Sequence, residues 1–198
     1  MRPLLQKGYK MKKIISVLIA LLIVLSLASC AKPPETIEVT YAPDGGEMQN
    51  ITMKLASNTK IVSYLLYVPQ DWIIKDQSAS TVAYVSEENK TSVSVAQWNL
   101  TSEFTSIDAW WDLHKKENEA TMPAFTVLRE GDALTVNGVD AKSYRYTVTF
   151  SGGTYVYEVV SCITQGSVHV FTYTSTEALF GENLDIFYSV ILENFKFN

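Results

Sequence analysis

Four residues in this chain have side chains suited to nucleophilic or acid–base chemistry at neutral pH: Cys30, Cys162, His114 and His169. Cys30 stands in Leu27-Ala28-Ser29-Cys30, directly after an apolar run. Small residues before a cysteine let the backbone enter a peptidase groove, and the thiol is a nucleophile that can be alkylated. Cys162 lies in the strand-like Tyr155-Val-Tyr-Glu-Val-Val-Ser-Cys-Ile, where a small buried hydrophobe is its ordinary role. A catalytic thiol there would need a base beside it. His169 is flanked by Val168 and Val170, and His114 sits in a helical stretch with Trp110 and Trp111. Both read as structural or surface histidines. No Cys/His cluster has metal-ligand spacing, so no metal is expected. There is no Gly-rich phosphate loop, no Gly-x-Ser-x-Gly elbow and no His-Glu-x-x-His. Glu87-Glu88 is read as a solvated loop pair. Asp44-Gly45-Gly46-Glu47 is a turn that lacks the alternating oxygens of a calcium loop. No cofactor and no catalytic residue are expected, and the chain is read as not an enzyme.

Lys12 and Lys13 precede a charge-free stretch from Ile14 to Leu27. Together with the residues ending at Cys30, this resembles the lipobox of bacterial type II signal peptides. That resemblance implies a thioether-linked diacylglycerol on Cys30, with Leu27, Ala28 and Ser29 read by the signal peptidase. Ile14 to Ser29 is 16 residues, short of the roughly 20 that span a bilayer as a helix. The expected organisation is a signal peptide over 1–29, a lipidated tether over 30–36 and a folded domain over 37–198. Met11 is an alternative start. The expected location is the extracytoplasmic face of the cell membrane, held by the lipid.

The net charge of −5 over 198 residues conceals an asymmetry. Removing the five basic residues of the first thirty leaves eleven basic against twenty-one acidic side chains, a net of −10. Such a domain has no electrostatic footprint for nucleic acid, and an anionic lipid surface would repel it. Two or three acyl chains on Cys30 would hold it durably without a basic patch.

The positioning elements follow from periodicity. Ile37–Tyr41 and Ile51–Leu55 alternate apolar with polar, and read as strands joined through Asp44-Gly45-Gly46. Ile61–Val68 is a third strand ended by Pro69; Thr81–Val85 and Thr91–Trp98 are the next two. A helix follows, capped by Thr105 or Ser106, with Asp108 placed to complete a capping box with Thr105. Then comes a meander: Phe125–Leu128, Ala133–Val136, the Asn137-Gly138 hairpin signal, Ala141–Phe150, Thr154–Thr164 and Val168–Thr174. A closing helix runs from Leu184 to Glu193. Tyr144, Tyr146, Val148 and Phe150 share one face, and Tyr155, Tyr157 and Val159 oppose Val156, Val160 and Cys162. Apolar residues on both faces predict a sheet covered on both sides. The fold class is α+β, an antiparallel sheet flanked by helices.

Tyr64-Leu-Leu-Tyr-Val-Pro-Gln-Asp-Trp72 resembles the strand-Pro-x-x-Trp signature of PsbP-like proteins, in which the tryptophan packs back on the sheet. Asn137-Gly-Val-Asp-Ala-Lys-Ser-Tyr-Arg-Tyr, the Gly152-Gly153 hairpin and the closing helix with Phe195 and Phe197 fit the same family, over Ile61 to Phe197. The resemblance implies an α/β/α sandwich. PsbP assists photosystem II without catalysis, and nothing here matches a photosynthetic partner site, so it carries fold and not role. The expected function is a non-enzymatic binding or assembly-accessory domain facing an envelope protein. The alternative is a carrier of a small apolar ligand in a pocket between sheet and helix. Trp98, Trp110 and Trp111 are the candidate ligand or partner surface.

Overall fold

The computed structural model describes residues 32–198 except Asp44, Gly45, Glu103, Phe104 and Gln165. Glu35–Asn198 form one compact unit. Its main sheet has seven strands: β5 (Ile73–Gln77), β6 (Ser80–Tyr84), β7 (Ser92–Asn99), β8 (Thr126–Val136), β9 (Val139–Phe150), β10 (Gly153–Thr164) and β11 (Ser167–Thr176). Their order is β5-β6-β7-β11-β10-β9-β8, and every neighbouring pair is antiparallel. Two meanders therefore meet where β7 lies against β11. The helix α1 (Ile107–Thr121) connects them. Asn137 and Gly138 have φ of +48° and +76°, the pair of left-handed residues that a two-residue hairpin needs to match strand twist.

Two small sheets complete the unit. β1 (Thr36–Tyr41) pairs with β2 (Gln49–Leu55), which pairs with β4 (Tyr67–Pro69); β3 (Tyr64–Leu65) pairs with β12 (Lys196–Phe197). The strand expected over Ile61–Val68 is thus split between two sheets. Ser57 causes the break: its Oγ donates to the Tyr64 carbonyl at 3.0 Å and accepts from the Leu66 N–H at 3.1 Å. The expected segments on either side of residues 129–132 form one strand, β8, with register shifts between Val127 and Arg129 and between Arg129 and Asp132. β5 was not foreseen, because Ile73-Ile74-Lys75-Asp76-Gln77 does not alternate.

Alternation along β10 divides the packing. Val160 and Cys162 join one core, while Val159 and Tyr157 join another across the sheet. The first core is closed by β1, β2, β4 and the C-terminal helical segment. Trp72 is buried there, and its N–H closes a turn onto the Pro69 carbonyl at 3.0 Å. The C-terminal segment begins as one α-turn, α2 (Leu184–Ile186), and continues as a π-helix over Phe187–Leu192. Wider winding narrows the angle between successive side chains, and Val190, Ile191 and Leu192 all reach the core. Each such side chain contributes roughly 1.5–3 kcal/mol by leaving water.

The second core is smaller. Trp110 and Trp111 of α1 pack on Tyr144, Tyr146, Val148, Val159, Val168 and Val170. Ser106, not Thr105, caps α1, accepting from the Ala109 N–H at 3.1 Å. Asp108 instead pairs with Lys142 at 2.5 Å. The α1 core takes in residues of β9, β10 and β11. Residues of β6 and β7 on this face, such as Val82, Tyr84, Ser92 and Ser94, stay half-buried outside it. The expected cover on both faces is therefore complete on one face and partial on the other.

Candidate functional site

Cys30 and the residues Leu27, Ala28 and Ser29 lie outside the described residues, as does the turn pair Asp44-Gly45. No helix among the described residues is long and apolar enough to cross a membrane. Of the three tryptophans, only Trp98 reaches the surface, 48% exposed and opposite Val168 at one end of β7. Trp111 is buried, stacked on Tyr144 at 4.2 Å, and its Nε1 donates to Glu130 Oε1 at 3.1 Å. Trp110 is buried and stacks on His114 at 4.9 Å. Both are core residues. The spacing of two adjacent tryptophans puts one partly aside on an ideal helix, but here both rings reach the sheet, Trp111 at 4.2 Å and Trp110 at 6.5 Å from Tyr144. These stacked rings occupy the space between sheet and α1 where an apolar ligand was the alternative expectation.

The sequence shows no base beside Cys162, yet the register places His169 directly opposite it. Both are sealed in the first core, at 0% and 2% exposure. Burial pushes the thiol up to about 12 and the imidazole down to about 4. Each charged form is disfavoured by the same desolvation, so the pair rests as neutral thiol and neutral imidazole, not thiolate and imidazolium. The rings of Tyr64, Phe195 and Phe197 meet His169 edge-on. The hairpin around Gly166 could have revealed the pairing, because a short turn fixes which residues face each other. His114 is likewise held neutral by burial, with its Nε2 3.0 Å from Asn118 Nδ2.

A third buried group was missed in the sequence. Glu158 interrupts the apolar face of β10 and is 0% exposed. Arg145, its neighbour in register on β9, donates from Nε to Oε2 at 2.5 Å. Arg129 and the Tyr188 hydroxyl both donate to Oε1. Arg145 also lies over the Phe180 ring at 4.8 Å. Burial and the adjoining carboxylate push the Tyr188 hydroxyl up to about 12. For Arg129 burial opposes the charge, but Glu158 and Tyr188 together outweigh it and the guanidinium is held charged. Both carboxylate oxygens are taken, so the cluster clips the π-helix to the sheet and leaves no oxygen for a substrate.

The other side of the same strands is different. One row crosses the sheet as Tyr84, Ser92, Thr174 and Tyr157 on β6, β7, β11 and β10. Two small residues between two large ones leave a trough. Phe150, Gly152 and Tyr155 of the β9–β10 hairpin and Lys90 ahead of β7 bound the remainder, enclosing a solvent-open concavity of about 390 Å³. Phe150 and Tyr155 meet edge-on at 5.9 Å. Among the described residues, no side-chain hydrogen bond engages the hydroxyls of Tyr84, Ser92, Thr174 or Tyr157. No group of acidic, histidine and cysteine side chains suited to a metal ion occurs among the described residues.

No family model matches the chain, and no curated protein does. Solved structures do. Cyanobacterial PsbP (CyanoP) from Synechocystis superimposes with a TM-score of 0.55 at 17% identity, covering 74% of this chain and 92% of that one. PA94 from Pseudomonas aeruginosa, a protein of unknown function, superimposes with a TM-score of 0.51 at 16% identity, covering 72% and 94%. The chain therefore has a PsbP-like fold, and at these identities the likeness concerns fold alone.

Proposed function

We propose that the chain is an extracytoplasmic lipoprotein, anchored to the cell membrane through lipid on Cys30, whose domain is a non-enzymatic binding module with an assembly-accessory role. The observation that carries the binding half is the division between the two sheet faces. Cys162, His169 and Glu158 are enclosed, the last with both carboxylate oxygens paired, whereas the Tyr84–Tyr157 trough presents unengaged hydroxyls to solvent. Catalysis by acid, base or nucleophile needs an accessible group of that kind; binding needs an accessible surface.

The anchor rests on Leu27-Ala28-Ser29-Cys30. Cys30→Ala is expected to abolish labelling by a fatty-acid probe and to leave the precursor unprocessed. Undiminished labelling would overturn the anchor. For the module, the tagged lipoprotein and its Tyr84→Ala form are each captured from their own membrane. A partner retained by the native chain and lost from the variant supports the reading. Identical partners on both would remove the trough from it.

A further inference from the structure

We propose that the trough is a saccharide site with a preference for a sugar that carries a carboxylate. This deepens the binding role proposed above and rests on it. A pyranose ring combines an apolar C–H face with a rim of hydroxyls. The walls of the trough are tyrosine rings, Tyr84 on one side and Tyr157 on the other, which offer flat apolar faces. Its floor is Ser92 and Thr174, paired in register, and each hydroxyl can both donate and accept.

Other ligands fit less well. An acyl chain or aryl group would cover the floor and strand its hydroxyls out of water, at a cost no contact offsets. An extended peptide binds a sheet by joining a free edge. The trough lies on β6, β7, β11 and β10, each hydrogen-bonded to a strand on both sides, so their backbone has nothing to add to a peptide ladder. A concavity of about 390 Å³ that opens to solvent suits one or two rings of a longer glycan laid across it.

The charge preference comes from Lys90. It is the one charged residue among the described residues lining the trough, and no carboxylate lines it. That is notable in a domain with eleven basic and twenty-one acidic side chains beyond residue 30. Lys90 Nζ is 3.7 Å from Glu87 Oε2, while Glu87 Oε1 holds Lys75 at 2.7 Å. The Lys90 ammonium is only loosely engaged, and a ligand carboxylate at the rim can take it.

The test uses the full lipidated chain in micelles of a detergent without a sugar headgroup, titrated by calorimetry. The probes are a hyaluronan tetrasaccharide, with glucuronate on alternate rings, and chitotetraose, which is neutral. Both are expected to bind, the first about threefold tighter, as a partly exposed ion pair allows. Lys90→Gln should erase that difference and leave chitotetraose unchanged. Tyr84→Ala should weaken both about tenfold, the loss of one stacking wall. Lys90 is exposed, so its variant reports even if Tyr84→Ala proves poorly folded by circular dichroism. Absence of heat with both sugars at millimolar concentration overturns the site. So does a Tyr84→Ala protein that is folded and binds as well as the native one. Recovery of a cleaved tetrasaccharide would support the site and overturn the non-enzymatic reading, so the two fail separately.

Discussion

Two adjacent rows of side chains cross the main sheet on opposite faces and meet opposite fates. On one face the row runs Arg129, Arg145, Glu158, Tyr173, Val93, Ala83; on the other it runs Val127, Tyr146, Tyr157, Thr174, Ser92, Tyr84. The first holds three charged residues and is roofed by the π-helix, which brings Tyr188 onto Glu158. The second is covered by α1 only toward Tyr146 and lies open toward Tyr84. The residue types with most chemical capacity are thus the ones withdrawn from solvent. The presented stretch of the second row, from Tyr157 to Tyr84, consists of serine, threonine and tyrosine, which motif searches pass over. The contrast also predicts a gradient: substitutions on the roofed row cost stability, and those on the uncovered stretch of the other row, from Tyr157 to Tyr84, cost binding.

The largest effect is expected at Glu158. Glu158→Ala leaves Arg129 and Arg145, 35% and 26% exposed, without their buried carboxylate. Removal of one partner from a fully buried pair costs about 3–5 kcal/mol, and the partial exposure of both arginines makes that the upper bound. Urea unfolding should show the loss as a lower midpoint. A drop below about 1 kcal/mol, the range of exposed pairs, would show that the clip is solvated and would erase the distinction between the rows.

Next is the pH response of the roofed face. Burial depresses the His169 pKa to about 4 from an ordinary 6.5. A depressed folded-state pKa contributes stability that is full above the unfolded value and is lost as pH falls toward the folded one. Stability should therefore decline between about pH 6.5 and pH 4, by up to roughly 3 kcal/mol at 1.36 kcal/mol per unit. Melting curves of the native chain and His169→Gln across that window test this. The variant should lose the part of the slope due to His169, and equal slopes would mean that His169 is hydrated in the folded state. The partner across the strand gives an independent check. A thiol raised to about 12 should resist alkylation at pH 8 until denaturant opens the first core.

A smaller loss, about 1 kcal/mol, is expected for Ser106→Ala, because an unreplaced N-cap leaves a helix-end N–H unsatisfied. The effect should appear in unfolding and also loosen Trp111 against Tyr144, which α1 alone delivers to the open face. Near-ultraviolet circular dichroism of the stacked rings is the readout. An unchanged spectrum with lowered stability would mean that α1 frays only at its first turn.

What the sequence made legible follows from how local the signals are. The faces of β9 and β10 were readable because alternation needs only neighbouring residues, and Asn137-Gly138 fixed its hairpin because the turn chemistry is local. Ile61–Val68 misled because continuous apolarity does not say which of two sheets a strand joins; Ser57 decides that from outside the run. Glu158 was invisible because its donors lie 29, 13 and 30 residues away. Only the strand order and the π-helix bring them together. The trough has the same origin. Ser92 and Thr174 are unremarkable until β7 is set beside β11, and that pairing joins two meanders separated by α1.

The smallest stability effect is expected on the trough floor, and it sharpens the comparison most. Ser92→Ala removes one hydroxyl from a half-exposed position that makes no side-chain hydrogen bond among the described residues. Surface changes of that kind usually stay within about 0.5 kcal/mol. The neighbouring residue Val93 is fully buried on the roofed face, and Val93→Ala opens a cavity in the first core. Large-to-small changes there cost more than transfer alone, on the order of 1–3 kcal/mol for an aliphatic this size. Two adjacent residues on one strand should therefore separate cleanly: Val93→Ala lowers the unfolding midpoint and leaves saccharide binding intact once folded, while Ser92→Ala leaves the midpoint and weakens binding. Equal destabilisation by both would mean that the open row is packed from above, and the trough would lose its claim to be a site.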